Sequence, residues 1–277
     1  MLKNTVFFIL TFLLVNDCVY SQSLSLVWAT DTIFKNPETA LYNAKWKSIF
    51  VSNINGNMYE KDGNGFISKI SLDGKIENLK WVEGLNGPKG MEIFKDTIFV
   101  TDIDELVLIS IKEAKIIRKI KVEGAVFLND VAITKNGKVF ISDTKAAKIF
   151  CYADGKVSLW LESDKLQKIN GMLAEKTKLI VCNQKIMEVD LKTKEIKTLV
   201  ETTGGVDGIE RLGKNEFLYS NWDGRVYITK NSRLIKLLDT TKTKQQSGDL
   251  DYIPSKKLVI IPTLGGNSIT CYKLKIN

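Results

Sequence analysis

The chain has no histidine among its 277 residues. That absence excludes Ser-His-Asp and Cys-His nucleophilic constellations, removes the commonest general base, and strips out most transition-metal sites. Any chemistry must use carboxylates, amides, hydroxyls, lysines or a hard cation held by oxygen. Cysteine is nearly as scarce: setting aside Cys18 in the N-terminal segment leaves Cys151, Cys182 and Cys271. They are odd in number, and each lies in an apolar strand beside Phe150, Val181 or Tyr272. This predicts buried free thiols, and their spacing fits no zinc motif.

Long apolar runs are also missing, with one exception at the start. Lys3 precedes the run Val6 to Val15, which is too short to span a bilayer, and Val19-Tyr20-Ser21 has the small or modest residues of a cleavage site. Residues 1–21 therefore read as a signal peptide cut at Ser21/Gln22, and residues 22–277 as one exported domain, periplasmic or secreted. Cys18 raises a lipoprotein reading, which the poor lipobox residues Asn16-Asp17 disfavour. No other stretch reads as a membrane helix. The net charge of +8 is scattered as single lysines such as Lys112, Lys115, Lys119 and Lys121. No basic run interleaves with stacking aromatics, so solvated sheet edges are expected and a nucleic-acid partner is not.

What the chain does have is a repeat. Six times a polar residue or glycine opens an apolar strand pair whose far end is Asn, Asp or Thr. The pairs are Glu38 to Asn53, Gly90 to Asp102, Asn129 to Asp143, Asn170 to Asn183, Asp207 to Asn221 and Asp249 to Thr263, each 12 to 15 residues apart. The units recur about every 40 residues, the period of a four-stranded propeller blade. A single blade cannot cover both faces of its sheet, so such units stack radially around a channel. The composition, 44% apolar with 19 glycines, agrees with an all-β domain. The expected fold is thus all-β, a six-bladed propeller of four-stranded antiparallel blades, with turns at Asp73-Gly74, Asn136-Gly137 and Asp154-Gly155. Leu24 to Ala29 is expected to pair with the last blade and close the ring.

In a propeller the innermost strand of each blade begins beside the channel. Glu38, Asn129, Asn170 and Asp207 are then expected to converge, although 169 positions separate the first from the last. Two carboxylates and two amide oxygens make a hard oxygen cage, and their two negative charges match one divalent cation: calcium first, with magnesium, manganese and zinc as the other candidates. Asn-Gly and Asp-Gly also turn a chain into a strand without binding anything, and that reading stays open.

These motifs resemble the senescence marker protein/gluconolactonase (regucalcin-like) family, from about Glu38 to the C-terminus. Pro37-Glu38-Thr39-Ala40 is similar to the family's opening Glu-Gly-Pro segment, keeping the Glu and losing the Gly-Pro. Phe127-Leu128-Asn129-Asp130 is similar to its Arg-x-Asn-Asp stretch, Ile169-Asn170-Gly171 to its Asn-Gly, and Val206-Asp207-Gly208 to its Asp-Gly. The resemblance implies a metal held by Glu38, Asn170, Asp207 and Asn129, with Asp207 as catalytic base and Asn129 also touching substrate. It implies hydrolysis of a small lactone or related ester by metal-activated water.

One departure bears on substrate. Phe127 stands where many family members carry an Arg, which makes a highly polar sugar lactone a poorer candidate. Phe127 is expected either to touch substrate or to pack over the channel mouth, and Lys89 to supply the missing positive donor. Trp46, Trp81, Trp160 and Trp222 are expected between blades. Asp102 and Asp143 support either the cage or backbone amides at strand ends, and Asp249 with Asp251 extends an acidic rim or caps a turn. The competing function is a non-catalytic propeller that binds a ligand or partner protein at the channel mouth.

Overall fold

Short apolar strands separated by tight turns leave each strand its sequence neighbour as nearest partner, and antiparallel meanders result. The computed structural model describes residues 22–231 and 233–276, which form six four-stranded antiparallel sheets. The proposed signal peptide and Cys18 lie outside the described residues. The chain begins with β1 (Ser23–Ala29). Blade 1 contains β2 (Pro37–Asn43), β3 (Ser48–Asn53), β4 (Gly65–Ser71) and β5 (Ile76–Leu85). Blade 2 contains β6 (Pro88–Phe94), β7 (Thr97–Asp102), β8 (Glu105–Ser110) and β9 (Lys115–Lys121). Blade 3 contains β10 (Leu128–Ile133), β11 (Val139–Asp143), β12 (Lys148–Ala153) and β13 (Lys156–Glu162).

Blade 4 contains β14 (Met172–Ala174), β15 (Lys178–Cys182), β16 (Lys185–Asp190) and β17 (Ile196–Glu201). Blade 5 contains β18 (Val206–Gly213), β19 (Glu216–Asn221), β20 (Arg225–Lys230) and β21 (Arg233–Asp239). Blade 6 has β22 (Asp251–Ile253), β23 (Leu258–Thr263) and β24 (Ser268–Lys275), and its fourth strand is β1, in the order β1-β24-β23-β22. The expected ring closure is therefore present, running from Ser23 opposite Lys275 to Ala29 opposite Thr270. All three expected glycine turns fall between paired strands.

The core lies between blades. One cluster joins Phe50, Ile67 and Leu85 of blade 1 to Ile98, Val100 and Val107 of blade 2. Five further clusters join each remaining blade to its neighbour, and the ring closes where Ile49 and Val51 meet Ile260 and Ile269. A sheet with two apolar faces thus has both covered, as the repeat period requires. Trp46, Trp81 and Trp160 pack against these clusters. Trp222 does not: it is 39% exposed at the turn between β19 and β20. Cys151, Cys182 and Cys271 are free and buried. Among the described residues no helix is long and apolar enough to cross a membrane.

The polar ends of the second strands act on backbone. Asp102 accepts from the amides of Asn86 and Gly87, and Asp143 from those of Val126, Phe127, Lys145 and Ala146. Each carboxylate fixes the loop that leads into its own blade's inner strand. That accounts for half of the repeat seen in sequence, and it settles the role of both residues as backbone supports.

Candidate functional site

Four inner strands enter their sheets through a register irregularity. It falls between Pro37 and Ala40 in β2, Pro88 and Met91 in β6, Leu128 and Val131 in β10, and Val206 and Ile209 in β18. A bulge sets two residues against one and re-aims their side chains. The pairs so displaced are Glu38-Thr39, Lys89-Gly90, Asn129-Asp130 and Asp207-Gly208. In three of them a serine from the adjacent strand accepts the second residue's amide at 2.9 Å: Ser52 for Thr39, Ser142 for Asp130 and Ser220 for Gly208. Blade 4 reaches the same point with Asn170-Gly171, where the Asn170 amide donates to the Cys182 carbonyl at 2.8 Å. Blade 6 does so with Gly248-Asp249, where the Gly248 amide donates to the Pro262 carbonyl at 3.0 Å.

This corrects the expected alignment in two blades. The residue equivalent to Glu38 is Lys89 in blade 2, not Gly90, and Gly248 in blade 6, not Asp249. In blade 2 the bulge inserts a residue that strand spacing alone does not count. The structure also explains the glycines of Asn170-Gly171 and Asp207-Gly208, which serve the crowded axis. A Cβ on Gly171 would lie 1.8 Å from the Asp207 carbonyl oxygen, and one on Gly208 2.3 Å from the Leu250 nitrogen. Neighbouring inner strands approach too closely there for any side chain.

The first residues of four of these six pairs open onto a cavity of about 380 Å³. Its polar lining is Glu38, Lys89, Asn129 and Asn170, and its apolar lining is Phe127, Ile54, Met58, Tyr59 and Trp222. Five of the six residues singled out in sequence thus share one space. The sixth, Asp207, is buried against it, and its Oδ1 accepts from Asn170 Nδ2 at 2.9 Å. The sequence expectations do not include Ile54, Met58 or Tyr59, and they place Trp222 between blades rather than at this cavity. A signal for the first three was available: residues 54–64 connect β3 to β4 over more chain than a hairpin needs.

The hydrogen bonds leave a pattern of free oxygens. Asn129 Nδ2 donates to Thr144 Oγ1 at 2.9 Å, which orients the amide and leaves the buried Oδ1 with no partner. Asp207 Oδ2 is likewise buried with no partner. Glu38 Oε2 accepts from Thr39 Oγ1 at 2.8 Å. A buried oxygen without a donor is costly unless a ligand or cation meets it. Among the described residues no three His, Cys, Asp or Glu side chains form a metal cluster. The donor set here is instead two carboxylates and two amides, a composition that fits a hard cation bound through oxygen.

Burial dominates the electrostatics. It pushes the Glu38 carboxyl up to about 8, with the neighbouring Asp207 adding to the rise, while Thr39 and Lys89 oppose it. Burial, reinforced by Asp249, likewise pushes Asp207 up to about 8, against the hydrogen bond from Asn170. Lys89, only 2% exposed, is pulled down to about 8 by burial despite the attraction of Glu38. Its Nζ donates to the Gly87 carbonyl at 3.2 Å and sits 4.2 Å from the centroid of the Phe127 ring. At the rim, Tyr59 packs on Phe127 with centroids 4.9 Å apart, and Lys145 lies 4.0 Å over Tyr59.

A second, narrower space of about 40 Å³ is lined by Glu92, Asp130, Glu210, Asp249 and Asp251 together with apolar residues of the inner strands. Burial raises all five carboxyls, Glu92 to about 7 and Asp251 to about 6. Two of them tie neighbouring blades: Asp130 Oδ2 accepts from the Met172 amide at 2.6 Å, and Asp251 Oδ2 from the Tyr42 amide at 2.7 Å. Asp249 and Asp251 therefore belong to this inner space and line no part of the mouth cavity.

No protein-family model matches the chain, and no curated protein sequence matches it. Among solved structures, the chain is similar to virginiamycin B lyase from Staphylococcus aureus, at 12% identity and a TM-score of 0.65, over 91% of this chain and 100% of that one. It is also similar to a catalytically inactive histidine-to-alanine variant of that lyase with quinupristin, at 11% identity and a TM-score of 0.62, over 92% and 100%. At such identities the likeness is one of fold, the six-bladed propeller.

Proposed function

We propose that this propeller is an exported, metal-dependent hydrolase of the gluconolactonase-like type, which opens a small lactone or related ester with water. One observation carries the reading: two buried, partnerless oxygens, Asn129 Oδ1 and Asp207 Oδ2, belong to residues grouped with Glu38 and Asn170 at one cavity. The motif resemblance assigns those same four residues to a metal. When bound, a divalent cation, calcium before magnesium, manganese or zinc, supplies Lewis-acid polarisation of a carbonyl and a more acidic water. Glu38, Asn170 and Asp207 would hold it, with Asn129 contributing its free oxygen.

The protein's own groups account for the remaining steps. Asp207 accepts the proton of the attacking water at Oδ2, the oxygen with no competing donor, and returns it to the ring or alkoxy oxygen as the acyl C–O bond breaks. Asn170 keeps Asp207 in place through Oδ1. Asn129 orients substrate, and Lys89 Nζ presents a donor to substrate oxygen from the cavity wall. Phe127 and Tyr59 keep water from one side of the cavity. The signal-like segment 1–21 goes with a periplasmic or secreted location.

The fold neighbour does not bring its own chemistry. The Staphylococcus aureus lyase is inactive once a histidine is changed to alanine, and this chain has no histidine. The non-catalytic alternative is favoured by the exposed aromatics Tyr59 and Trp222 at the mouth, which suit ligand capture without turnover. A pH-stat panel of lactones and esters, run with and without calcium, magnesium, manganese and zinc, separates the two. Metal-dependent turnover that disappears in Asp207→Asn supports the hydrolase. Metal binding without turnover of any member leaves the binding module.

A further inference from the structure

We infer that the cavity selects a small lactone or ester with an apolar body, read by Phe127, Tyr59 and Trp222, and rejects polyhydroxylated ones. This names the substrate class of the same site and rests on the hydrolase reading above.

The cavity offers a ligand few hydrogen-bond donors. Of its polar residues, Asn129 Nδ2 gives one N–H to Thr144 and Asn170 Nδ2 one to Asp207, which leaves each amide one more. Glu38, whose Oε2 is engaged by Thr39, has no N–H to give. Lys89 Nζ makes one hydrogen bond, to the Gly87 carbonyl. These few donors suffice for the oxygens of one ester group. Phe127, Ile54 and Met58 offer none to the several hydroxyls of a sugar, and buried hydroxyls lacking partners count heavily against binding.

The apolar side points the same way. Ile54 is buried and Met58 half-buried, while Tyr59 and Trp222 are 54% and 39% exposed at the same cavity. Large aromatics left in water around a concave site gain most when a hydrophobic body covers them. At about 380 Å³ the cavity lies near the lower end for small-molecule sites, which favours a compact ring or short acyl chain. Phe127 lines the cavity with an aromatic ring that has no donor to offer, and Lys89 Nζ lies 4.2 Å from that ring.

The test has two arms. In the first, kcat/KM of the calcium-loaded protein is measured for δ-lactones of increasing alkyl length and for δ-gluconolactone. A rise of about fourfold per added methylene is expected until the cavity is full, with gluconolactone the poorest substrate. In the second, binding of butanamide, hexanamide and gluconamide is followed by intrinsic fluorescence in metal-free buffer, with Trp222→Phe identifying the reporting indole. These amides share one neutral carbonyl head and need no turnover. Hexanamide binding at least about tenfold tighter than gluconamide, with a signal lost in Trp222→Phe, supports the inference. Equal or tighter binding of gluconamide, absence of hexanamide binding, or preferred hydrolysis of gluconolactone overturns it. If no lactone is hydrolysed yet the amide series still ranks by chain length, the hydrolase reading fails and the selectivity stands. If gluconolactone is the best substrate, the reverse holds.

Discussion

Asn170 Nδ2 donates to Asp207 Oδ1 at 2.9 Å, so an amide from blade 4 holds a carboxylate from blade 5 while the other carboxylate oxygen stays without a partner. The two residues are 37 positions apart, close to one blade period, and they meet because equivalent positions at the starts of successive inner strands face one channel. The bond is directional: it occupies one Asp207 oxygen and leaves Oδ2 free. The proposed role of Asp207 as base needs that free oxygen.

Asp207→Asn keeps the shape and removes the proton acceptor. Metal-dependent lactone hydrolysis is expected to fall by about 10²- to 10⁴-fold, the usual range for a lost general base. Circular dichroism and thermal melting should stay close to those of the unaltered protein. Full activity in the variant would rule out Asp207 as the base.

Stability should depend on pH in a direction set by Glu38 and Asp207. Burial raises both folded-state carboxyls to about 8, so the folded protein keeps protons that the unfolded chain releases above about pH 4. Their stabilising contribution is complete below that lower value and is lost as pH climbs through about 8. Metal-free protein should therefore melt at a lower temperature at about pH 8.5 than at about pH 5.5. Added calcium should recover the difference at the higher pH, where the carboxylates are free to bind it. A Glu38→Gln/Asp207→Asn double variant should show a flatter profile in the same melts.

Gly171→Ala tests the crowding at the axis. Its Cβ would fall 1.8 Å from the Asp207 carbonyl, so the inner strands of blades 4 and 5 must separate. The expected cost is about 1–3 kcal/mol. At about 2–4 °C per kcal/mol for a domain of this size, the shift is readable by calorimetry. Because Asp207 moves with its backbone, activity should fall more than the lost stability explains.

A chain that begins at Thr30 lacks β1 and leaves β24 as an open edge on the last blade. Free edges recruit other chains, so this truncation should lower the melting temperature and elute in size exclusion as a larger species than the full chain. A peptide spanning residues 23–29, supplied in trans, should restore the elution of the full chain. A truncated chain that elutes like the full chain and is equally stable would show that the ring needs no closing strand.

Much of this protein was legible in residue order alone. The recurrence from Glu38 to Asp249, with Asn-Gly and Asp-Gly near strand starts and Asp102 or Asp143 at strand ends, set the blade number, the strand count and the β1 closure. Those features depend on local periodicity and on apolar faces that must be covered, and both are written along the chain. The same spacing brought Glu38, Asn129, Asn170 and Asp207 to attention. Tertiary structure decided the rest. A bulge shifts side chains by one position without any mark in composition, so Lys89 rather than Gly90 faces the cavity. Only the close passage of backbones explains Gly171, and only the fold gathers Tyr59 and Trp222 beside Phe127. Contacts between residues so distant in sequence depend on how sheets twist and pack around an axis, which no window along one strand contains.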